Sequence, residues 1–446
     1  MTFSTASQNH DGALTINAQK LTDTLPFIDY QNGKLHIDGV NANTLAQVYG
    51  TPLYAYSKNA LLANYTAYVE SFSALNDVQI CYAVKANANL AVLATLAQAG
   101  AGFDIVSSGE LARVMKAGGD VSRVVYSGVG KSPADIQKAL EAGIGCFNVE
   151  ALSELDTINQ VAQNLGKIAP IALRINPDVD AKTHPYISTG MKDNKFGISH
   201  DMAITAYKYA KSLPNLNIIG IDCHIGSQLT EVKPFIDALD KMIELIDELH
   251  THGINLQHLD LGGGLGVRYI DENPVSVHEF AEALLPKLLT LQAKYNIGLH
   301  LEPGRNIAAN AGVLLTKVDV LKPTEHKNFA IVDASMSELI RPALYESVMA
   351  IIPANLPCEN ETVPTAQTWD IVGAVCESSD FIGKDRYLSL TVGDLLTVTG
   401  AGAYGFTMAN NYNTRPRPAE VMTDNGTHRL VRMRETLDDL WRGESI

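Results

Sequence analysis

Between residues 78 and 304 the chain repeats one pattern. A short, almost wholly apolar run is followed by a longer stretch whose apolar positions fall three to four residues apart. The apolar runs occupy 78–84, 102–108, 123–128, 145–150, 171–176, 220–226, 258–264 and 299–304. Runs of that length without polar alternation suit strands buried on both faces. Helical patterns fill most of the intervals, at 90–98, 109–117, 133–142, 151–165, 201–211, 231–250 and 277–295. Eight alternations in about 230 residues match the size of a (β/α)8 barrel of the TIM type. An open doubly wound sheet would also alternate, but eight units of this regularity favour closure.

The flanks read differently. Residues 26–56 hold a hairpin signal at Asn32-Gly33, a short helical stretch and a strand-like run at 52–56. Beyond residue 311 the pattern is β-rich, at 313–321, 329–334, 369–375, 395–399 and 420–434, the last containing a hairpin turn at Asn425-Gly426. The expected organisation is an α/β chain. Residues 1–25 form a flexible arm, 26–56 and 311–446 build one β-domain, and 57–310 form the barrel.

Composition narrows the function. Of 446 residues, 46% are hydrophobic and 19% charged, as expected of a soluble globular chain. The net charge of −15 disfavours nucleic acid and anionic membrane surfaces as partners. No segment approaches the roughly 20 apolar residues of a membrane span. The first ten residues lack the features of a secretory signal or a transit peptide. Five scattered cysteines, Cys81, Cys146, Cys223, Cys358 and Cys376, never fall in C-x-x-C spacing. Together these predict a reducing, cytoplasmic setting without disulfides. No H-E-x-x-H occurs, and no metal site is expected.

Barrel active sites lie at the C-terminal ends of the strands. There the chain places Lys85, Asp104, Arg174 with Asn176, His224-Ile-Gly-Ser227, Gly262-Gly-Gly264 and Glu302-Pro-Gly-Arg305. A lysine closing an apolar strand either snorkels to solvent or is held desolvated for imine chemistry with an aldehyde. Glycine turns after strands 7 and 8 suit a phosphate site built from backbone N–H groups, although tight turns alone would also explain them. Position 267 is Val, so Gly262-Gly-Gly-Leu-Gly266 is no dinucleotide fingerprint. A phosphate site facing a lysine suggests pyridoxal 5′-phosphate. Glu302 would then sit at its ring nitrogen and His224 over its ring, unless that histidine is merely packed.

The motifs Tyr82-Ala-Val-Lys-Ala-Asn87, His224-Ile-Gly-Ser-Gln228, Gly262-Gly-Gly264, Glu302-Pro-Gly-Arg305, Cys376-Glu-Ser-Ser-Asp380 and Gly402-Ala-Tyr-Gly405 occur in this order. The sequence from about residue 50 onward resembles the diaminopimelate decarboxylase family of the alanine-racemase-fold group. His184-Pro-Tyr-Ile-Ser-Thr-Gly190 and Asn194-Lys-Phe-Gly197 resemble the same subfamily. The resemblance implies that Lys85 carries the cofactor as an imine, His224 stacks on the ring and Glu302 binds its nitrogen. Asp104 also belongs to the cofactor set. Ser227, Gly262, Gly263, Gly264, the Glu302, Pro303, Gly304 and Arg305 turn, and Tyr404 hold the phosphate end. Arg305, Arg341, Tyr345, Glu377 and Tyr404 bind substrate, and Cys376 delivers a proton. It further implies a homodimer in which the Cys376-Glu377 loop completes the partner's site.

The implied reaction converts meso-diaminopimelate to L-lysine and CO2. The distal end of that substrate carries a carboxylate and an ammonium, and Arg305, Arg341 and Glu377 match that charge pattern. A decarboxylase of another basic or polyamine-precursor amino acid, a catalytically silent partner-binding homologue and a racemase of the same fold are the competing readings. Lys195, in the loop after strand 5, is the rival to Lys85 as the imine lysine.

Overall fold

The computed structural model describes residues 4–9, 12–179, 195–357 and 363–446. The motif at 184–190, Asn194 and Cys358 lie outside them. The chain divides into two compact units. One comprises Leu62–Val267 and Pro274–Ile307, the other Met1–Leu61, Arg268–Asn273 and Ala308–Ile446.

The first unit is the barrel. Its strands are β1 (Val78–Ala83), β2 (Gly102–Ile105), β3 (Val124–Tyr126), β4 (Cys146–Val149), β5 (Ala169–Asn176), β6 (Leu216–Asp222), β7 (His258–Asp260) and β8 (Gly298–Leu301). Each pairs in parallel with the next, and β8 returns to β1. Every apolar run seen in the sequence supplies one strand. Strands β2, β3 and β4 are buried at every position, which is why they carry no surface alternation.

The helices between them are α1 (Leu90–Gln98), α2 (Ser108–Lys116), α3 (Pro133–Ala142), α4 (Leu152–Leu165), α5 (Ala203–Ser212), α6 (Lys233–Thr251) and α7 (Val277–Tyr295). Local signals set their ends. Asn89, Ser107 and Ser132 accept the first orphan N–H groups of α1, α2 and α3. Pro133 opens α3, and Gly143 closes it at φ 81°. Ser276 and Glu279 form a reciprocal capping box on α7.

In the second unit the long strand Gly312–Pro323 pairs antiparallel with Leu53–Ser57, Leu395–Val398 and Asn328–Val332. Leu53–Ser57 also runs parallel to Ala419–Asp424, so N- and C-terminal segments share one sheet. Leu53, Ala55, Val313, Leu315, Ile352 and Val421 form its core. Both hairpin signals turn as read. Asn32 and Gly33 have φ 51° and 75°, and Asn425 and Gly426 have 47° and 79°, the left-handed pair that suits twisted strands.

Described residues of the leading segment make ordered contacts: Ala6–Gln8 pairs with Leu14–Ile16, and Leu14 pairs with Arg386 of strand Phe381–Leu388. Asn17 caps a helix at Ala18–Thr22, and Asp271 accepts the N–H of buried Thr5. These tethers join residues distant in sequence. Strands Phe381–Leu388 and Ile351–Pro353 were not apparent in the sequence, because one carries Lys384, Asp385 and Arg386 and the other is short.

Among the described residues, no helix is long and apolar enough to cross a membrane.

Candidate active site

Successive inward positions on a barrel strand lie two residues apart. On β6, β7 and β8 that spacing yields Asp222 then His224, His258 then Asp260, and His300 then Glu302. The upper inward positions are therefore polar, and they meet at the C-terminal end of the barrel.

Lys85 lies in a single 3-10 turn, Val84–Ala86, directly after β1. Its Nζ pairs with Asp104 of β2, a residue with no solvent exposure, whose second oxygen has no hydrogen-bond partner among the described residues. Lys85 is thus not a lone desolvated amine. Its side chain keeps 40% exposure and has an acid as counter-ion. Lys195, the rival, is exposed beside the Phe196 ring.

His224 Nδ1 accepts the N–H of Gly263 at 3.1 Å, which fixes the ring against the glycine turn. Burial, then Arg174 and Lys85, hold its pKa well below the usual value, so the imidazole is neutral. The glycines answer a steric demand. A Cβ on Gly263 would stand 2.3 Å from the Glu302 carbonyl oxygen, and one on Gly264 would stand 2.4 Å from that of Gly226. Gly262 N–H donates to Asp260, and its carbonyl accepts from Glu302 N–H at 2.7 Å. The Pro303 carbonyl accepts from Ala83 N–H at 3.1 Å. Arg305 donates twice to Ser227 Oγ, at 3.1 and 3.0 Å. The turns after β6, β7 and β8 are therefore one bonded assembly, as close packing and phosphate cradling both require.

Glu302 Oε1 accepts from Ser127 at 3.2 Å and Asn148 at 3.3 Å. Burial, then Asp104, Asp260 and Asp222, push its pKa well up. Arg174 donates to Glu150 at 2.9 Å and stands 3.8 Å from Asp222. Ser127, Asn148, Glu150, Asp222 and Asp260 were missed by the sequence reading. Their signal was present: each is a polar side chain inside or just beyond a mostly apolar run.

The remaining candidates belong to the second unit. Arg341 opens the short helix Arg341–Tyr345, is buried, and stacks over Tyr269 at 5.4 Å and over Tyr345 and Tyr404 at 5.9 Å each. Tyr404 adopts φ 54°. Cys376 and Glu377 are exposed. The Asn413 side chain accepts Cys376 N–H at 2.7 Å, and Asp380 braces the loop by accepting Met336 N–H and Val375 N–H.

Residues 60–309 match the family described as pyridoxal-dependent decarboxylase, pyridoxal binding domain. The chain is 58% identical to a diaminopimelate decarboxylase of Vibrio cholerae, across 95% of this chain and 99% of that one. It is 52% identical to that of Haemophilus influenzae, across 94% and 99%. It is similar to the crystal structure of diaminopimelate decarboxylase from M. jannaschii in co-complex with L-lysine, with TM-score 0.89, 40% identity and 95% and 98% coverage. The chain belongs to the diaminopimelate decarboxylase family.

The barrel residues fit pyridoxal phosphate, the cofactor of this class. Gly262–Gly264 leave backbone where any side chain would intrude, Lys85 can meet an aldehyde, and Glu302 is an acid able to face a ring nitrogen.

Proposed function

We propose that this chain decarboxylates meso-2,6-diaminopimelate to L-lysine and CO2, the closing step of lysine formation, with pyridoxal phosphate bound in the barrel. The observation that carries this reading is the mouth of the barrel itself. Lys85 on Asp104, the neutral His224 pinned to the glycine turn, and the buried acid Glu302 all belong to it. When bound, the cofactor supplies an electron sink for the pair left behind as CO2 departs.

The chain's own residues do the rest. Lys85 would be the amine that meets the cofactor's aldehyde. Asp104 keeps the Lys85 amine oriented, His224 would lie against the ring, and Glu302 would serve its nitrogen. Ser227, Gly262–Gly264, Pro303, Gly304, Arg305 and Tyr404 would hold the phosphate end. Arg341, with Arg305, Tyr345, Glu377 and Tyr404, reads the distal carboxylate and ammonium of the substrate. Arg341 suits this because its guanidinium is already fixed among three tyrosine rings, so little ordering remains on binding. Cys376 returns a proton to the carbon.

The proposed assembly is a homodimer with shared sites, since Cys376 and Glu377 are both exposed on a braced loop. A cytoplasmic setting goes with it, because Cys376 must remain a thiol. Incubation with meso-diaminopimelate, L-lysine or L-ornithine tests the reading. Release of CO2 and L-lysine from the first alone supports it, and turnover of L-lysine or L-ornithine with none of diaminopimelate overturns it.

A further inference from the structure

One carboxylate oxygen from each of Asp222, Asp260 and Glu302 lies within 4.8 Å of the other two, and all three residues are buried. The charges around them do not balance. Acting on Glu302 are Cys81 and the Lys85 turn from β1, Asp104 from β2, Arg174 from β5, Asp222 from β6 and Asp260 from β7. Glu150, at the end of β4, acts on Asp222, and His224 stands near Arg174 and Lys85. Two of these are cations, and both are engaged: Lys85 on Asp104, and Arg174 on Glu150 and beside Asp222.

Asp260 and Glu302 are left with neutral donors, the Gly262 N–H at 2.8 Å and the Ser127 and Asn148 side chains. Asp222 Oδ1 and Asp260 Oδ2 are buried with no hydrogen-bond partner among the described residues. Adjoining buried carboxyls with no cation of their own cannot all stay ionised. One proton satisfies the geometry, because an acid O–H can donate to a facing carboxylate.

We propose that Glu302 and Asp260 share one proton, that it rests on Glu302, and that Asp260, with Asp222 beside it, is the positioning residue that keeps it there. Burial and the neighbouring acids raise the proton affinity of Glu302, in the same sense. Glu302 therefore meets the cofactor as an acid. Its O–H bond breaks as the ring N–H bond forms, leaving a carboxylate beside a pyridinium with no proton drawn from solvent. That consequence rests on the assignment of Glu302 above; the shared proton does not.

Infrared spectroscopy of the full chain freed of cofactor tests the proton directly. The difference between wild type and Glu302→Gln should show a carboxylic-acid band at neutral pH. Asp260→Asn should lower the pH at which that band is lost by one unit or more, a proton held at least tenfold more weakly. Should Asp260→Asn not fold, Asp222→Asn decides by the same shift in the same direction. A difference spectrum with no acid band at neutral pH, an unshifted loss in the variant that folds, or a divalent metal found at the cluster by elemental analysis would overturn the proposal. Adding pyridoxal phosphate separates the two readings. If the acid band is present but Glu302→Gln leaves the pH profile of cofactor absorbance unchanged, the ring-nitrogen assignment fails while the shared proton stands.

Discussion

Two layers of the same barrel, two residues apart on the same strands, show what burial does to opposite kinds of titratable group. The lower layer holds His258 of β7 and His300 of β8, stacked with ring centroids 4.0 Å apart and planes 8° apart. They line a cavity of about 160 Å³ that also has Asp77, Gln79, Ser122 and Gln257 in its wall. The next inward positions on those strands are Asp260 and Glu302. Desolvation disfavours charge in both layers, so the imidazoles lose their protons and the acids gain them. The acid layer has both the Lys85 ammonium and the Arg174 guanidinium acting on it, whereas Arg123 beside the histidine layer further disfavours charge on His300. The histidine layer is a stacked floor whose His258 Nε2 and His300 Nδ1 are buried with no hydrogen-bond partner among the described residues, and Gly220 is required because a Cβ there would stand 2.2 Å from His258 Nε2.

The contrast is open to being broken, most sharply by exchanging charge within each layer. Glu302→Gln should cut kcat by roughly 10²-fold or more, the usual loss on removing a preorganised electrostatic group. His258→Gln should leave kcat/KM within about threefold of wild type, since no part of the mechanism uses it; steady-state assays with diaminopimelate check both. A floor variant as damaged as the acid variant would dissolve the distinction.

Charges brought by the second unit should matter nearly as much. Arg341→Ala should cost about 2–5 kcal/mol in kcat/KM while leaving cofactor absorbance intact, because an ionic contact to substrate is lost. Cys376→Ala should lower kcat by roughly 10²- to 10⁴-fold. Mixing Lys85→Ala with Cys376→Ala subunits should restore part of the activity if one site draws on both chains. No recovery despite proven subunit exchange would reject shared sites.

The layers should also respond oppositely to pH in the cofactor-free chain. Burial lowers His258 from 6.5 to about 4, so its folded form resists protonation that the unfolded form accepts. Its stabilising contribution is complete above about pH 6.5 and is lost as pH falls toward 4, on the order of 3 kcal/mol. Asp260 is displaced the other way, up to about 7 chiefly by burial, so its contribution is present below its unfolded value of 3.8 and lost as pH rises through 7. Denaturant titrations between those limits should show His258→Gln losing stability relative to wild type as pH rises, and Asp260→Asn gaining stability relative to wild type. Parallel slopes for the two variants would refute the opposition. The smallest effect expected is a control remote from both layers: Ser276→Ala removes the capping box of α7 and should cost about 1 kcal/mol at any pH in this range.

Much of this was legible in the chain. Strand and helix positions followed from apolar runs and capping residues, because burial on both faces and orphan N–H groups act over a few residues. Leu90–Gln98, Pro133–Ala142 and Val277–Tyr295 begin and end where their local signals put them. Lys85, His224, the glycine turn and Glu302 stood out because polar or flexible residues at strand ends need a reason. The pairing of Lys85 did not follow, nor did the roles of Asp260, Asp222 or Asn148, since each was a polar letter in a run that read mostly as core. What brings them together is closure of the sheet, which sets β3, β4, β6, β7 and β8 around one axis.

The sequence by itself determined the element order, the barrel and the residue types that chemistry would use, since these depend on periodicity and on short-range backbone needs. Tertiary structure alone decided which charges neutralise which: Lys85 with Asp104, Arg174 with Glu150, and Asp260 with Glu302 in want of a cation. It also decided that the leading segment is pinned through Thr5 and Leu14 to Asp271 and Arg386. Desolvation and pairing depend on distances between residues tens or hundreds of positions apart, and only the folded chain sets those distances.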